Sequence, residues 1–373
     1  MLKRFILSQI SPFLNTSHNQ FGFKPKHSTD MSIFLLKQTV SSYVNHNTPV
    51  YSVFLDASKA FDKVNHHLLF KKLISRKVPM CFIRLLQFWY SKQTMFVKWG
   101  GLFSEPFNVS TGVRQGGVLS PYLFALYIDE LSHSLSRVKA GCFIGNSSLN
   151  HILFADDLCC FCPSLDGLRE LLQVCYKYAS SHDIVFNCKK SFGMLFSPKN
   201  FKLTHEPKLL IGNSLIRFVK TVKYLGVYLD SSLADENDIN RQVRSLYCTA
   251  NKLKQNFIRC SSSVKNILFR SYCMTFYASQ VWCNYRPSSL KRLRVAYNDS
   301  FRILHCLPRY TSAREQQVLY NITTFDALLR KYMYSFVSRC FQSKNKWISL
   351  LMSSDCFFQS KYFIHYWNSL YNF

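Results

Sequence analysis

The sequence predicts an α+β fold: short apolar strands interleaved with helices, followed by an all-helical segment with a basic surface. Three observations predict it. Strand-length apolar runs such as "VYSVFL", "HILF" and "FGMLFS" alternate with stretches of helical spacing as far as Asp230. Beyond Asp235 only the helical spacing persists. From Ile239 to the C-terminus, 20 Lys and Arg face 4 Asp and Glu within a chain whose formal charge is +27.

The elements follow in order. Residues up to about Thr48 read as helical, with "MSIFLLKQTVSSYV" carrying apolar residues at helical spacing after a polar "KHSTD" entry. "VYSVFLD", Val50 to Asp56, is a β-rich run ending in a carboxylate. "HHLLFKKLISRKVP" and "CFIRLLQFWYSK" form two helices separated by Pro79, and "TMFVKWGGLFSEPFNVS" a hairpin around Gly100 and Gly101. Ser120 is placed to cap a helix with Pro121 at its first position, and Phe124, Tyr127, Leu131 and Leu135 supply its buried stripe. "LNHILFADDLCCFC" reads as strand, turn and strand, and a helix follows through Leu168, Leu171, Cys175 and Tyr178. "FGMLFS" and "YLGVYLD" are two further strand runs. Ile239, Val243, Leu246, Ala250, Leu253 and Phe257 then step along one helical face, leaving Arg241, Arg244, Lys252 and Lys254 outside it.

Composition excludes several classes. At 373 residues the chain can bury a sizeable core, and its apolar stretches stop well short of the ~18 residues a membrane span needs. The start, "MLKRFILSQISPF", has too short an apolar run for a signal peptide. Fourteen scattered cysteines, several inside apolar runs, read as reduced thiols of an intracellular protein rather than as a disulfide framework or zinc site. The basic excess, interleaved with Tyr, Phe and Trp, favours nucleic acid over an anionic membrane.

One stretch carries chemistry. In "HILFADDLCC" the adjacent carboxylates Asp156 and Asp157 sit between apolar strands, where repulsion and desolvation cost several kcal/mol unless something positive neutralises them. Asp also serves in caps and turns. A divalent metal is the simplest neutraliser, and magnesium takes only one or two carboxylates from the protein. A third acid from another strand end would complete a site for two metals, and Asp56 is so placed if its strand lies beside the hairpin. Gln115, Gly116 and Gly117 precede a helix, where missing side chains let backbone approach a nucleotide or template.

Taken together and in this order, "DASKAFDKVNH", "GVRQGGVLSPYLF" and "FADD" resemble motifs A, B and C of reverse transcriptases, specifically those of LINE-type non-LTR retrotransposons. "NQFGFKPKHSTD" is similar to that family's segment before motif A, "NCKKS" to motif D and "KYLGVYLD" to the primer-grip region. The resemblance runs from Asn19 to Asp230 and more loosely through "AYNDSFRILHCLPRYTSAR".

The resemblance implies a right-hand polymerase: partial fingers over residues 1–48, an α+β palm with an antiparallel sheet over 49–235 and a basic helical thumb with C-terminal extension over 236–373. It implies RNA-directed DNA synthesis from deoxynucleoside triphosphates on an RNA template and a DNA primer, with two Mg2+ ions, or Mn2+, as cofactor. Asp56, Asp156 and Asp157 would be the catalytic, metal-binding carboxylates. Phe61 would screen out a ribose 2'-hydroxyl, Gln115 and Gly116 would contact nucleotide and template, and Lys190 would stand near the departing pyrophosphate. Tyr224, Leu225 and Gly226 would form the primer grip. The implied location is intracellular, in the nucleus or a cytoplasmic ribonucleoprotein, and neither a membrane nor a protein partner is evident.

There are departures. Gly117 replaces the Cys or Ser frequent after the Gln-Gly pair. No basic "RPISL"-like segment precedes Asn19, and neither an endonuclease region nor a Cys/His knuckle is present. A catalytically inactive, truncated retroelement remnant that binds RNA is therefore the alternative reading. Group II intron or telomerase-like enzymes share the implied fold, but "AFDKVNH" with "FADD" fits the LINE-type group better.

Overall fold

Val50–Leu55 is the strand on which the sheet is assembled. It pairs antiparallel with Phe192–Phe196 on one side and with Asp157–Cys162 on the other. The computed structural model describes residues 2–201 and 207–371, and in it the six-stranded sheet runs Leu209–Ile211, Ser214–Phe218, Phe192–Phe196, Val50–Leu55, Asp157–Cys162, His151–Phe154. The chain forms two compact units, residues 1–32 with 46–219, and residues 33–45 with 220–373.

The sheet corrects one expectation. It is mixed rather than antiparallel, because Phe192–Phe196 pairs in parallel with Ser214–Phe218. Strand direction is set by the route of the connection, which a local apolar pattern does not encode. The chemistry-bearing strands are antiparallel, as expected.

Continuous apolar runs follow from burial on both faces. Val53, Leu55, Leu158, Cys160 and Cys162 join the core formed with the helices Ser120–Ser136 and Leu165–Ser181. Their neighbours Phe54, Cys159 and Phe161 point the other way and are buried too. The helix Ser120–Ser136 buries far more than one stripe: besides Phe124, Tyr127, Leu131 and Leu135, it buries Leu123, Ala125, Leu126, Ile128 and Asp129. Its start differs in detail from expectation. Ser120 is the first helical residue and Leu119 the N-cap, without a side-chain cap.

Near the N-terminus the helices are Leu2–Ile10 and Thr29–Asn45. The segment between them is largely not helical, and it carries an isolated parallel bridge from Gln20 to Leu153. The expected helical reading of the whole stretch therefore fails in the middle, where Asn19, Gly22 and Pro25 favour turns.

In the second unit, "YLGVYLD" is a hairpin rather than one strand: Thr221–Tyr224 pairs with Val227–Asp230 around a two-residue loop. The helix Glu236–Phe257 buries Ile239, Leu246, Ala250 and Leu253 on the expected face and packs against Pro287–His305, which contributes Leu293, Tyr297, Phe301 and Leu304. Each fully buried Phe or Leu of this kind contributes ~1.5–3 kcal/mol. No helix among the described residues is long and apolar enough to cross a membrane.

A buried ion pair ties this unit together. The Lys37 Nζ donates to Asp235 at 2.5 Å and to the Val281 carbonyl at 3.0 Å. Asp235 also accepts the backbone N–H groups of Cys283 and Asn284, at 2.9 and 2.8 Å. Burial pulls the Lys37 pKa down, but Asp235 and its neighbours more than offset this, so the net shift is upward. Asp235→Ala, which leaves Lys37 buried without its carboxylate, is expected to destabilise by about 3–5 kcal/mol. Lys37→Met combined with Asp235→Asn should recover most of that loss in urea unfolding.

Candidate active site

The hairpin geometry follows from its register. Phe154 faces Asp157 across the ladder, which leaves Ala155 and Asp156 as a two-residue loop. Asp156 is therefore in the turn, whereas Asp157 already begins its strand. On the other side Leu55 faces Leu158, so one further step sets Asp56 across from Asp157. Two acids of the hairpin and one from the central strand thus share one end of the sheet.

Their electrostatics reflect this. Burial, followed by Asp156 and then Asp56, pushes the Asp157 carboxyl up to about 6. Asp156 is raised mainly by burial, with Asp56 adding to it and a backbone hydrogen bond opposing it. Such a donor set suits a hard divalent cation, which would relieve both repulsion and desolvation. Among the described residues no group of three His, Cys, Asp or Glu converges tightly enough to hold an ion alone. An ion here would take one or two carboxylates and fill its shell with water and phosphate oxygens, as magnesium commonly does.

Asp56 is fixed through its backbone. Its N–H donates to Ser191 Oγ at 3.1 Å, and its carbonyl accepts the Asn187 N–H at 2.8 Å. The turn Asn187–Lys190 between these two anchors leaves Lys190 exposed beside the strand end. Phe61 stacks on Phe124 with centroids 4.4 Å apart and meets Phe23 edge-on at 6.1 Å. The Phe61 carbonyl accepts the Val113 N–H at 2.8 Å, and Gln115 Nε2 donates to Asp62 Oδ1 at 3.0 Å. Gln115 and Gly116 are exposed on the same loop. The structure thus brings Phe61 and the Gln115 loop together, and separately ties the Asn187–Lys190 turn to the Asp56 backbone through Asn187 and Ser191, with the Lys190 side chain exposed.

Tyr224, Leu225 and Gly226 belong to the second unit. Leu225 and Gly226 form the hairpin loop with φ of 46° and 83°, both left-handed, and Tyr277 Oη donates to the Leu225 carbonyl at 2.8 Å. Tyr224 is buried at the end of its strand. Sequence reasoning assigned no role to Phe23, Asp62, Ser191 or Tyr277. Phe23, Asp62 and Ser191 lie in the segments that resemble the family's motifs and Tyr277 does not, and none of these residue types signals its partner.

The Asp157 shift has a testable sign. In metal-free protein the folded state holds this proton up to about 6, against an ordinary 3.8, so stability at this group falls as pH rises through that window. Asp157→Asn is expected to flatten the thermal midpoint between pH 4 and pH 6.5 in chelator. Parallel profiles for the two proteins would refute the coupling.

Comparison with known proteins gives the family. A family profile described as "Reverse transcriptase (RNA-dependent DNA polymerase)" matches residues 1–229. A Drosophila melanogaster protein described as a "Probable RNA-directed DNA polymerase from transposon X-element" is 27% identical over 300 residues, 78% of this chain and 32% of that protein. The "RNA-directed DNA polymerase from mobile element jockey" of Drosophila funebris is 25% identical over 330 residues, 84% of this chain and 35% of its own length. The Pol polyprotein of the type-2 retrotransposable element R2DM, from Drosophila melanogaster, is 29% identical over 232 residues, 61% of this chain and 22% of its own. The chain therefore spans about a third or less of the length of these relatives. A Candida tropicalis telomerase structure overlays with a TM-score of 0.47 at 13% identity, over 99% of this chain and 56% of that one. On the profile match, which covers more than half of its length, this chain belongs to the reverse transcriptase (RNA-dependent DNA polymerase) family, with relatives among non-LTR retrotransposons.

Proposed function

We propose that the chain is the RNA-directed DNA polymerase of a non-LTR retroelement, extending a DNA primer on an RNA template. The observation that carries this reading is the register that sets Asp56 across from Asp157 beside the Asp156 turn. Asp56, Asp156 and Asp157 would hold divalent metal, which when bound activates a primer 3'-hydroxyl and stabilises the leaving pyrophosphate.

The protein's own residues then bind and orient. Phe61, backed by Phe124, presents an aromatic edge where a 2'-hydroxyl would have to fit. Gln115 and Gly116 offer an exposed amide and bare backbone to nucleotide and template. Lys190 supplies a cation near the pyrophosphate, and the Tyr224–Gly226 turn holds the primer end. By function, residues 1–48 act as partial fingers, 49–235 as palm and 236–373 as thumb with its extension, a division that follows the motifs and cuts across the compact units. The last segment suits nucleic acid: its cations greatly outnumber its acids, and Tyr272, Tyr310 and Tyr334 are exposed.

Mg2+-dependent primer extension on RNA tests the reading, and Asp156→Asn should reduce the rate at least ~10²-fold. Extension that survives this change removes Asp156 from the site. RNA binding without incorporation, even with Mn2+, would instead support the inactive remnant. Phe61→Ala should narrow the preference for deoxy- over ribonucleotides by roughly tenfold, read as the ratio of kcat/KM values. If 6–10 phosphates are contacted, RNA affinity should fall ~10³–10⁵-fold between 50 and 200 mM salt.

A further inference from the structure

Ala155, the first residue of the carboxylate loop, has φ 58°, a left-handed conformation that residues with a Cβ adopt reluctantly. The neighbouring Asp156 is not among the residues with positive φ, so the turn is of the kind that favours Gly at its first central position. Something must hold Ala155 there.

The fully buried Gln20 side chain is in position to do so. Its Oε1 accepts the Ala155 N–H at 3.0 Å and the Gly22 N–H at 2.8 Å, and its Nε2 approaches the Ala155 carbonyl at 3.4 Å. The main chain on either side of Gln20 runs along the same strand: Phe21 N–H donates to the Leu153 carbonyl at 2.8 Å, and Leu153 N–H donates to the Asn19 carbonyl at 2.9 Å. Asn19 Nδ2 reaches the His151 carbonyl at 2.8 Å. The approach is so close that a Cβ on Gly22 would lie 2.4 Å from the Ala155 nitrogen. Farther back, the Ser17 N–H is held by the buried Asp129 carboxylate at 2.7 Å.

We propose that Gln20 is a positioning residue: its amide clamps Ala155 in the left-handed conformation and thereby aims Asp156 and Asp157, and Gly22 is the glycine that lets the clamp close. This rests on the reading of these two acids as metal-binding carboxylates. Without the clamp, the loop relaxes toward ordinary φ, and the Asp156 carboxylate swings away from its partners. Gln20 touches no reacting group, so its effect is read through the hairpin.

The test compares wild type, Gln20→Met, Ala155→Gly and the double variant, folding being checked by circular dichroism. Met keeps the packing volume and removes the hydrogen bonds, while Gly accepts φ 58° freely. Bound Mn2+ is counted by electron paramagnetic resonance, and primer extension is followed separately. Gln20→Met should lower the extension rate by roughly 10–100-fold at unchanged KM for primer–template. It should also weaken Mn2+ binding, and Ala155→Gly in the same chain should restore most of both. If Gln20→Met does not fold, Gln20→Glu retains the acceptor oxygen used by both N–H groups and should keep the rate within about tenfold of wild type.

Wild-type behaviour of Gln20→Met, a loss that Ala155→Gly leaves uncorrected, or a folded Gln20→Glu without activity overturns the proposal. Mn2+ binding that depends on Gln20 in a chain that never extends a primer would keep the clamp and reject the polymerase reading. A wild-type chain that binds no Mn2+ rejects both.

Discussion

Three half-buried carboxylates held at the end of an apolar sheet repel one another, and the first compact unit is organised to keep them there. Asp157 registers the strain most, because burial and both neighbouring acids act on it together. Nothing local favours this arrangement. It persists because the strands that carry it are buried on both faces, so that moving Asp56 or Asp157 one step inward along the ladder would carry a carboxylate into a position now filled by buried Leu55 or Leu158. Core packing therefore supplies the free energy that opposes carboxylate repulsion, and a bound cation would lower the same term.

The two hairpins given functional roles share a solution to a second constraint. Each has a two-residue loop whose first residue is not glycine yet adopts positive φ, Ala155 in one and Leu225 in the other. Each is held by a side chain from a distant part of its own unit, Gln20 or Tyr277, bonded to the backbone of the strained residue. A glycine at either position would relieve the strain, with a somewhat wider range of loop conformations. Retaining a Cβ and adding an external clamp produces a turn with fewer accessible conformations, which suits a loop that must aim a side chain.

This explains what the sequence disclosed and what it withheld. The carboxylates, the Gln-Gly loop and the strand-turn-strand around "FADD" were legible because they rest on short-range patterns: charge within an apolar run, glycine before a helix, apolar spacing. The buried face of the helix at Ile239 was legible for the same reason. The parallel pairing of Phe192–Phe196 with Ser214–Phe218 was not, since it depends on the return path of the chain. The Gln20 contact was equally hidden: "NQFGF" falls within a stretch that reads as helical, and its partner lies 135 residues away. "YLGVYLD" reads as one strand run because Leu-Gly is an uncommon hairpin loop, and the Tyr277 hydroxyl that bonds to Leu225 is remote in sequence.

The distribution of charge carries the argument one step further. In the segment from Ile239 onward the few acids serve the fold itself: Asp299 pairs with Arg302 and Asp326 with Arg294, while Glu315, Asp326 and Asp355 occupy first turns of helices. Little negative charge remains to balance the other Lys and Arg, and their mutual repulsion opposes compaction. A surface of that kind is stabilised by a polyanion, since each phosphate that approaches relieves repulsion among several cations. The same reasoning applies to the carboxylate end of the sheet with the sign reversed. Each compact unit carries an excess of one charge where it is proposed to act, and each would gain stability from the ligand that the excess selects.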